Sequence, residues 1–346
     1  MNADPPIRVG LIRCDTHGAY FAPLMAEHDP VVFDQPVPMS EPERVMDSWM
    51  AGGNHFYFYQ GYASPTTMTA DFVGGFEIAR VHDERNRARA EVLAEMFFGK
   101  PKVCDTFAEV SDDVDLVLIA DCNFDGSDHL ELATPGITKG VPTFIDKPLA
   151  NDLADVRAIL ELARRHDTPI HSMSILGAVP DADHFRSRLA EIGPVQAGSI
   201  QGGGTAMAGH IHSVVLALNV FGRGVRRVWS MGEHPLDVMR LDWGDADDRP
   251  PAGVTITSDV GSVQHCAFFV EAYGPGGAAQ SRPIGDFRFP FGAARIIRSM
   301  KEMVRTRKSP ESLAMMVEGV AIVEAARAAH NAGRPVEVEQ VEIDVP

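Results

Sequence analysis

Cysteine is scarce in this chain of 346 residues, and the spacing of the few present excludes more than their number. Cys14, Cys104, Cys122 and Cys266 stand far apart, with no CxxC pair and no zinc-type spacing. A disulfide framework and a structural zinc site are therefore not expected; four reduced thiols in a cytoplasmic protein are. Basic residues are outnumbered, 31 against 48 acidic ones, for a formal net charge of -17. That balance repels phosphate backbones and anionic lipid heads, so neither nucleic acid nor a membrane surface is expected as a main partner. There is no apolar run of about 18 residues, and Met1-Asn-Ala-Asp-Pro-Pro6 lacks both the basic and the apolar region of a secretory signal. No internal repeat or low-complexity tract is present. At 45% apolar and 23% charged residues, what remains is an ordinary globular composition on a chain long enough for two domains.

The clearest positive signal is a strand–helix–strand unit. Leu116 to Ala120 is a continuous apolar run, which suits a strand covered on both faces. A helical segment from His129 to Thr138 follows and stops at Gly140. Pro142 to Ile145 then reads as a second buried strand, closed by Asp146-Lys147-Pro148. Such a unit is parallel and right-handed by default. It places Lys147 just past the carboxyl end of a strand, where open α/β sheets bind ligands.

Upstream, Ile7 to Ile12 is a short strand that runs into Arg13-Cys14-Asp15-Thr16-His17-Gly18 and a helix through Glu27. Strand, turn and helix N-terminus make a place where backbone N–H groups cradle a pyrophosphate. The dinucleotide fingerprint wants three glycines there and two are lacking: Arg13 and Asp15 hold their positions, and only Gly18 remains. Arg13 would favour a phosphate and Asp15 would repel one. The alternative is an ordinary strand-to-helix turn. Phe76 to Val81 is the second strand, ending at His82-Asp83, with a helix over Glu84 to Phe98 behind it. An acid at that place either accepts hydrogen bonds from an adenosine ribose, favouring NAD over NADP, or caps the helix.

Residues 29–75 exceed the roughly 2–6 residues that a compact connection needs. They contain a helix over Glu41 to Met50 and the aromatic run His55 to Tyr62, for which packing or a subunit contact is a better reading than an active-site lid. After Pro148, Asn151 or Asp152 caps a helix through Arg165, Pro169 to Met173 is a sixth strand, and Asp181 to Ile192 is a helix. Val195 to Gln201, Val225 to Met231, Gly253 to Asp259 and His265 to Tyr273 are strands with few helices between them, the pattern of an antiparallel sheet. Helices over Phe291 to Arg305 and Pro310 to Asn331 close the chain.

This order of segments resembles the Gfo/Idh/MocA family, the relatives of glucose–fructose oxidoreductase and inositol dehydrogenase. Asp146-Lys147-Pro148 looks like the family's Glu-Lys-Pro, with aspartate for glutamate. Ala120-Asp121-Cys122-Asn123 and His129 resemble its Ala-Thr-Pro-Asn and following histidine, with two extra residues between, and Gly140 keeps the spacing to the lysine. Gly202 to His212 resembles its Gly-Gly-Gly and Asp-x-x-x-His element, followed by Gly222 at the family's spacing. Glu318 to Pro335 is similar to its last helix and Gly-Arg-Pro-Val ending. The resemblance implies an α/β fold: a Rossmann-type parallel-sheet domain over 1–149, with 29–75 inserted, and an α/β domain with an open, mainly antiparallel sheet over 150–346. It implies NAD, held by Gly10, Arg13, Cys14, Asp15, Thr16, His17, Gly18, Asp83, Asp121, Cys122, Asn123, His129, Asp146 and Lys147. It also implies catalysis by Lys147 and His212, a carbohydrate-like substrate, and a homodimer or homotetramer. The chain departs from the family at Arg13 and Asp15, at Ala208 where the catalytic aspartate would stand, and at His171 to Leu176, where an arginine-rich element would follow the sixth strand.

Oxidising a hydroxyl needs a base for the O–H proton, and a lysine or a histidine with a pKa near neutrality can serve. Lys147 and His212 would suffice without an aspartate. Their alternatives are an ion pair of Lys147 with Asp146 and a helix-start role for His212. His210 would orient substrate. On an extended segment His210 and His212 would share a face and bind a metal with His171 or an acid, but no third ligand is definite and no metal is assigned. The leading expectation is an NAD(H)-dependent oxidoreductase acting on a sugar, polyol or related small molecule. Arg13, Asp15 and Ala208 motivate a second, a redox-neutral lyase, hydrolase or epimerase with tightly bound NAD or a metal at His210 and His212. A non-catalytic binding protein using the aromatic insertion is a third, opposed by the intact lysine–histidine pair.

Overall fold

The computed structural model describes residues 5–35, 54–60, 64–122, 125–202, 207–233, 236–257 and 267–346. Strand β1 (Ile7–Ile12) leads into α1 (Gly18–Met25) and the short α2 (Pro30–Phe33). Helix α3 (Asn54–Phe58) and the hairpin β2 (Tyr59–Gln60) and β3 (Ser64–Met68) belong to the long insertion. Then follow β4 (Phe76–His82), α4 (Arg87–Met96), β5 (Lys102–Val103), β6 (Leu116–Ile119), α5 (His129–Thr138), β7 (Thr143–Ile145), α6 (Leu153–Arg165) and β8 (Ile170–His171). Every residue of β6 is buried, as its unbroken apolar run requires, and each such side chain contributes about 1.5–3 kcal/mol. Helix α6 shows how its sequence sets its limits. Asp152 caps it by accepting from the Asp155 amide, Leu153, Val156, Ile159, Leu160 and Ala163 form the buried stripe, and Arg164 and Arg165 meet the negative end of the dipole.

The first sheet has the order β5-β4-β1-β6-β7-β8, all parallel. Its sixth strand comes from residues 170–171, past the 149/150 division read from the sequence. Strand order reverses between β1 and β6, and a crevice opens at the carboxyl ends on either side of such a reversal. Arg13 to Gly18 follow β1, Asp83 follows β4, Asp121 and Cys122 follow β6, and Asp146 and Lys147 follow β7. Residues distant in sequence thereby line one crevice.

The second half contains α7 (Pro180–Arg188), β9 (Ala197–Gln201), α8 (Met207–Phe221), β10 (Arg227–Glu233), β11 (Leu236–Asp242), β12 (Val254–Thr257), β13 (Phe269–Gly274) and β14 (Gly277–Gln280). Helices α9 (Phe289–Thr306) and α10 (Leu313–Ala332) and strand β15 (Val336–Glu337) end it. The sheet order is β14-β13-β9-β12-β11-β10-β15, antiparallel at each pairing except the parallel β9–β12. Helices α8 and α10 pack on this sheet. The extended conformation considered for His210 and His212 is corrected here: both lie on α8.

The expected helix over Glu41 to Met50 lies outside the described residues. Of the aromatic run, Phe58 and Tyr59 are buried: the Phe58 ring meets that of Tyr20 edge-on at 4.8 Å, and Tyr59 Oη bonds His28 Nε2 at 2.7 Å. Among the described residues no helix is long and apolar enough to cross a membrane.

Candidate active site

The chain leaves β1 through Arg13 at φ 68°, a left-handed conformation that glycine adopts freely and other residues at a cost of about 1–2 kcal/mol. What holds Arg13 there is its side chain. The guanidinium is 2% exposed and pairs with Glu84 through Nε at 2.7 Å, with Asp121 through Nη1 at 3.2 Å, and with Asp128 through Nη2. Burial works against its charge, and Glu84, Asp121 and Asp128 more than restore it. Asp121, Asp128 and His129 have the spacing of metal ligands, but the Arg13 guanidinium already contacts both acids as their cation. Three carboxylates leave little of its charge for a phosphate.

Asp15 occupies the helix end. Its Oδ1 accepts from the amides of His17 at 2.9 Å and Gly18 at 3.1 Å, and its Oδ2 from the Cys122 amide at 2.8 Å. These first amides of α1 are the orphan donors that would receive a phosphate. Burial pushes the Asp15 carboxyl upward, against the pull of His17 and of the amides. Gly18 does serve close packing, since a Cβ there would lie 2.4 Å from the Arg13 carbonyl oxygen.

Several residues expected at a cofactor have other work. Asp83 accepts from the amides of Cys14 (3.0 Å), Arg85 (3.0 Å) and Asn86 (2.9 Å), and both of its oxygens also meet Arg89 at 3.2 Å. With both oxygens spent and the side chain fully buried, the ribose-binding expectation for Asp83 is corrected to a structural one. Gly10 packs rather than binds, as a Cβ there would lie 2.2 Å from the Val110 carbonyl oxygen. Cys14 and Thr16 are buried, and burial drives the Cys14 thiol pKa well up. His129 spends Nε2 on Asp121 (3.0 Å) and Nδ1 on the Pro148 carbonyl (2.8 Å). Asn123 lies outside the described residues. With Asp15 on its amides and Arg13 neutralised, the loop does not fit a pyrophosphate in the manner of the fingerprint.

A second cluster begins where β7 ends. Asp146 accepts from the Lys147 amide through Oδ1 at 2.7 Å; its Oδ2 accepts from the Asp121 amide at 3.1 Å and lies 2.5 Å from His17 Nδ1. Burial opposes charge on His17, but Cys122 and Asp146 prevail and hold its pKa well above the ordinary value. Lys147, 2% exposed, donates from Nζ to the Cys122 carbonyl at 2.8 Å. From α8, His212 bonds Ser174 Oγ through Nδ1 at 2.7 Å. Burial, then the charges of Lys147 and His17, push the His212 pKa well below its usual value, so His212 is a neutral imidazole beside cations.

His210 is not part of this group. Two residues along a helix is a turn of about 200°, so His210 and His212 cannot share a face. His210 Nε2 meets Asp237 Oδ2 at 2.8 Å, and its other charged neighbour is Arg327. The expectations that it orients substrate or shares a metal with His212 are both corrected. His171 is buried with no partner at Nδ1 among the described residues, and burial lowers its pKa to about 3. Sequence reasoning missed Ser174, whose only signal was its place in the departing segment His171 to Leu176. It also missed Glu84 and Asp128, which lie 71 and 115 positions from Arg13 and meet it only through the fold.

Comparison with known proteins bears on the fold. Residues 52–173 match the model of the GFO_IDH_MocA oxidoreductase family, described by its NAD-binding Rossmann fold. Over that segment the chain is similar to the Gfo/Idh/MocA family. Among solved structures it is similar to a protein of Thermotoga maritima described as a probable dehydrogenase, with TM-score 0.70, 15% identity, and coverage of 97% of this chain and 100% of that one. It is also similar to an Agrobacterium radiobacter oxidoreductase in complex with NAD+, L-tartaric acid and magnesium (0.68, 14%, 96% and 98%). A third is myo-inositol dehydrogenase from Lactobacillus casei in complex with NAD(H) and myo-inositol (0.68, 12%, 98% and 98%). Compared by sequence with curated proteins, the chain matches none. At these identities the structural likeness speaks for the fold, and within that fold Lys147 follows β7 while Asp15 fills the loop after β1.

Proposed function

We propose that this protein acts at a hydroxyl or carbonyl carbon of a small sugar- or polyol-like molecule, with Lys147 and His212 as its acid–base pair. The juxtaposition of these two residues carries the reading. They come from a strand end and from a helix of the other sheet, and Lys147 is close enough for its charge to depress the His212 pKa. His212, neutral and anchored at Nδ1 by Ser174, has Nε2 left to accept a hydroxyl proton. Lys147 sets an ammonium beside the oxygen that gains charge. The relatives that hold myo-inositol and L-tartaric acid support a polyhydroxylated substrate.

By its similarity to an oxidoreductase family the chain would couple this pair to oxidation or reduction against NAD(H), for which Asp15 must release the amides of His17 and Gly18. A second reading, a redox-neutral lyase or epimerase using the same pair, is favoured by one observation: the Asp15 carboxylate on those amides. A native mass spectrum taken as purified and after addition of NAD and of NADP, beside product analysis on an inositol and sugar panel, separates the two. Dinucleotide uptake with NADH formation supports the first; product without uptake supports the second. The same spectrum reads the expected homodimer or homotetramer. Under either reading Lys147→Ala and His212→Ala each lower turnover by about 10²–10⁴-fold. Unchanged turnover in both variants would reject the pair.

A further inference from the structure

We propose that Cys122 is a nucleophile, served by His17 as its base and by Asp146 as the acid that orients that base, for the carbonyl carbon of a small polyhydroxylated aldehyde or ketone. The three residues come from the ends of β6, β1 and β7, and hydrogen bonds fix them side by side. One carboxylate, that of Asp15, binds the amides of both His17 and Cys122, at 2.9 and 2.8 Å. Asp146 Oδ2 accepts from the amide of Asp121, the residue before Cys122, at 3.1 Å and lies 2.5 Å from His17 Nδ1. With Nδ1 engaged by Asp146, Nε2 is the nitrogen left for the Cys122 side chain, which is within hydrogen-bond reach of the ring. Nucleophile, base and orienting carboxylate are the three parts of an activated thiol site.

Two further observations suit the role. Cys14 and Cys104 are buried, whereas Cys122 is partly exposed in the crevice. Lys147 Nζ lies 2.8 Å from the backbone carbonyl of Cys122 itself, which brings an ammonium near any carbonyl group that the sulfur attacks. In the step, with the thiol's proton held on His17, the sulfur electron pair forms a C–S bond. The carbonyl π pair moves to oxygen, which takes the proton back from His17 while Lys147 donates a hydrogen bond. The product is a hemithioacetal or hemithioketal, formed with no oxidant or reductant and released by reversal. The nucleophile stands on the triad alone; the choice of a polyhydroxylated carbonyl compound rests on the function proposed above.

The experiment is timed alkylation of the intact protein by iodoacetamide at pH 7, read by intact mass and peptide mapping, with glutathione as the reference thiol. Cys122 is expected to label first and at least tenfold faster than glutathione. His17→Gln and Asp146→Asn should each slow it at least tenfold, and glyceraldehyde should protect it. Labelling of Cys122 no faster than glutathione, or unchanged in both variants, overturns the proposal. If His17→Gln misfolds, Cys14 and Cys104 appear in the map; the wild-type rate and Asp146→Asn then decide. Lys147→Ala separates the two ideas. Fast Cys122 labelling with turnover surviving in Lys147→Ala sinks the acid–base pair alone, and an inert Cys122 with turnover lost in Lys147→Ala sinks the nucleophile alone.

Discussion

His171 shows how much one buried side chain can contribute to pH dependence. Its ring packs edge-on to Phe144 at 5.4 Å, it has no partner at Nδ1 among the described residues, and burial takes its pKa to about 3. The fold therefore favours the neutral ring. Because the folded pKa is depressed below the unfolded value of about 6.5, the contribution is complete above that value and shrinks as pH falls toward the folded one. Between pH 7 and pH 5 the loss from this group alone is about 2 kcal/mol. His17 works in the opposite sense, its raised pKa contributing stability that is complete below the unfolded value and lost as pH rises toward the folded one, so the whole-protein curve mixes both. The difference between wild type and His171→Leu isolates one of them. In urea unfolding at pH 7 and pH 5, wild type should lose about 2 kcal/mol more than the variant. Equal losses would mean that the ring is not held neutral in the fold.

Gly10 makes the equivalent point for elements. Strand β1 passes so close to the 3-10 turn at Phe107–Ser111 that a Cβ at Gly10 would lie 2.2 Å from the Val110 carbonyl oxygen, backbone that cannot rotate away. Gly10→Ala should cost about 1–3 kcal/mol in denaturant unfolding, and a cost near zero would show that the turn can retreat. No linear pattern announces such an approach, and the same limit governs which elements were legible. Strands β1, β4, β6 and β7 and helices α5 and α6 carry their own periodicity or apolar runs, and each lies where the sequence places it within a few residues. Helix α8 was not legible: from Ile211 to Phe221 nearly every side chain is buried, and a helix that is apolar all round shows no stripe. Of the proposed acid–base pair, Lys147 could be placed at a strand end from the sequence itself, and His212 only through the resemblance. The Asp15 cap was half legible, because a carboxylate accepting from amides two and three residues on is local, and an ordinary strand-to-helix turn was the alternative reading. The partners of Arg13 were not, since only the fold brings them together.

Across the whole molecule, the reversal of strand order at β1 and β6 makes the crevice, and the side chains put there decide what can enter it. Asp15, Asp83, Glu84, Asp121, Asp128 and Asp146 follow the strand ends β1, β4, β6 and β7, in a chain whose net charge is already -17. Arg13, Arg89 and His17 already pair with most of these acids, so a pyrophosphate entering this place finds few free cations among the described residues and, at α1, amides already engaged. Removing Arg13 would not help, because it would leave Glu84, Asp121 and Asp128 without their cation, and breaking such a buried pair costs about 3–5 kcal/mol. Removing Asp15 differs in kind: it frees the amides of His17 and Gly18, subtracts a negative charge, and leaves the Arg13 network whole. Asp15→Gly should therefore take up NAD at least tenfold more tightly than wild type, read by titration in native mass spectra with both proteins at one ionic strength. Equal or weaker uptake by the variant would show that the acids beyond the loop, not the carboxylate on the helix end, govern entry of a dinucleotide.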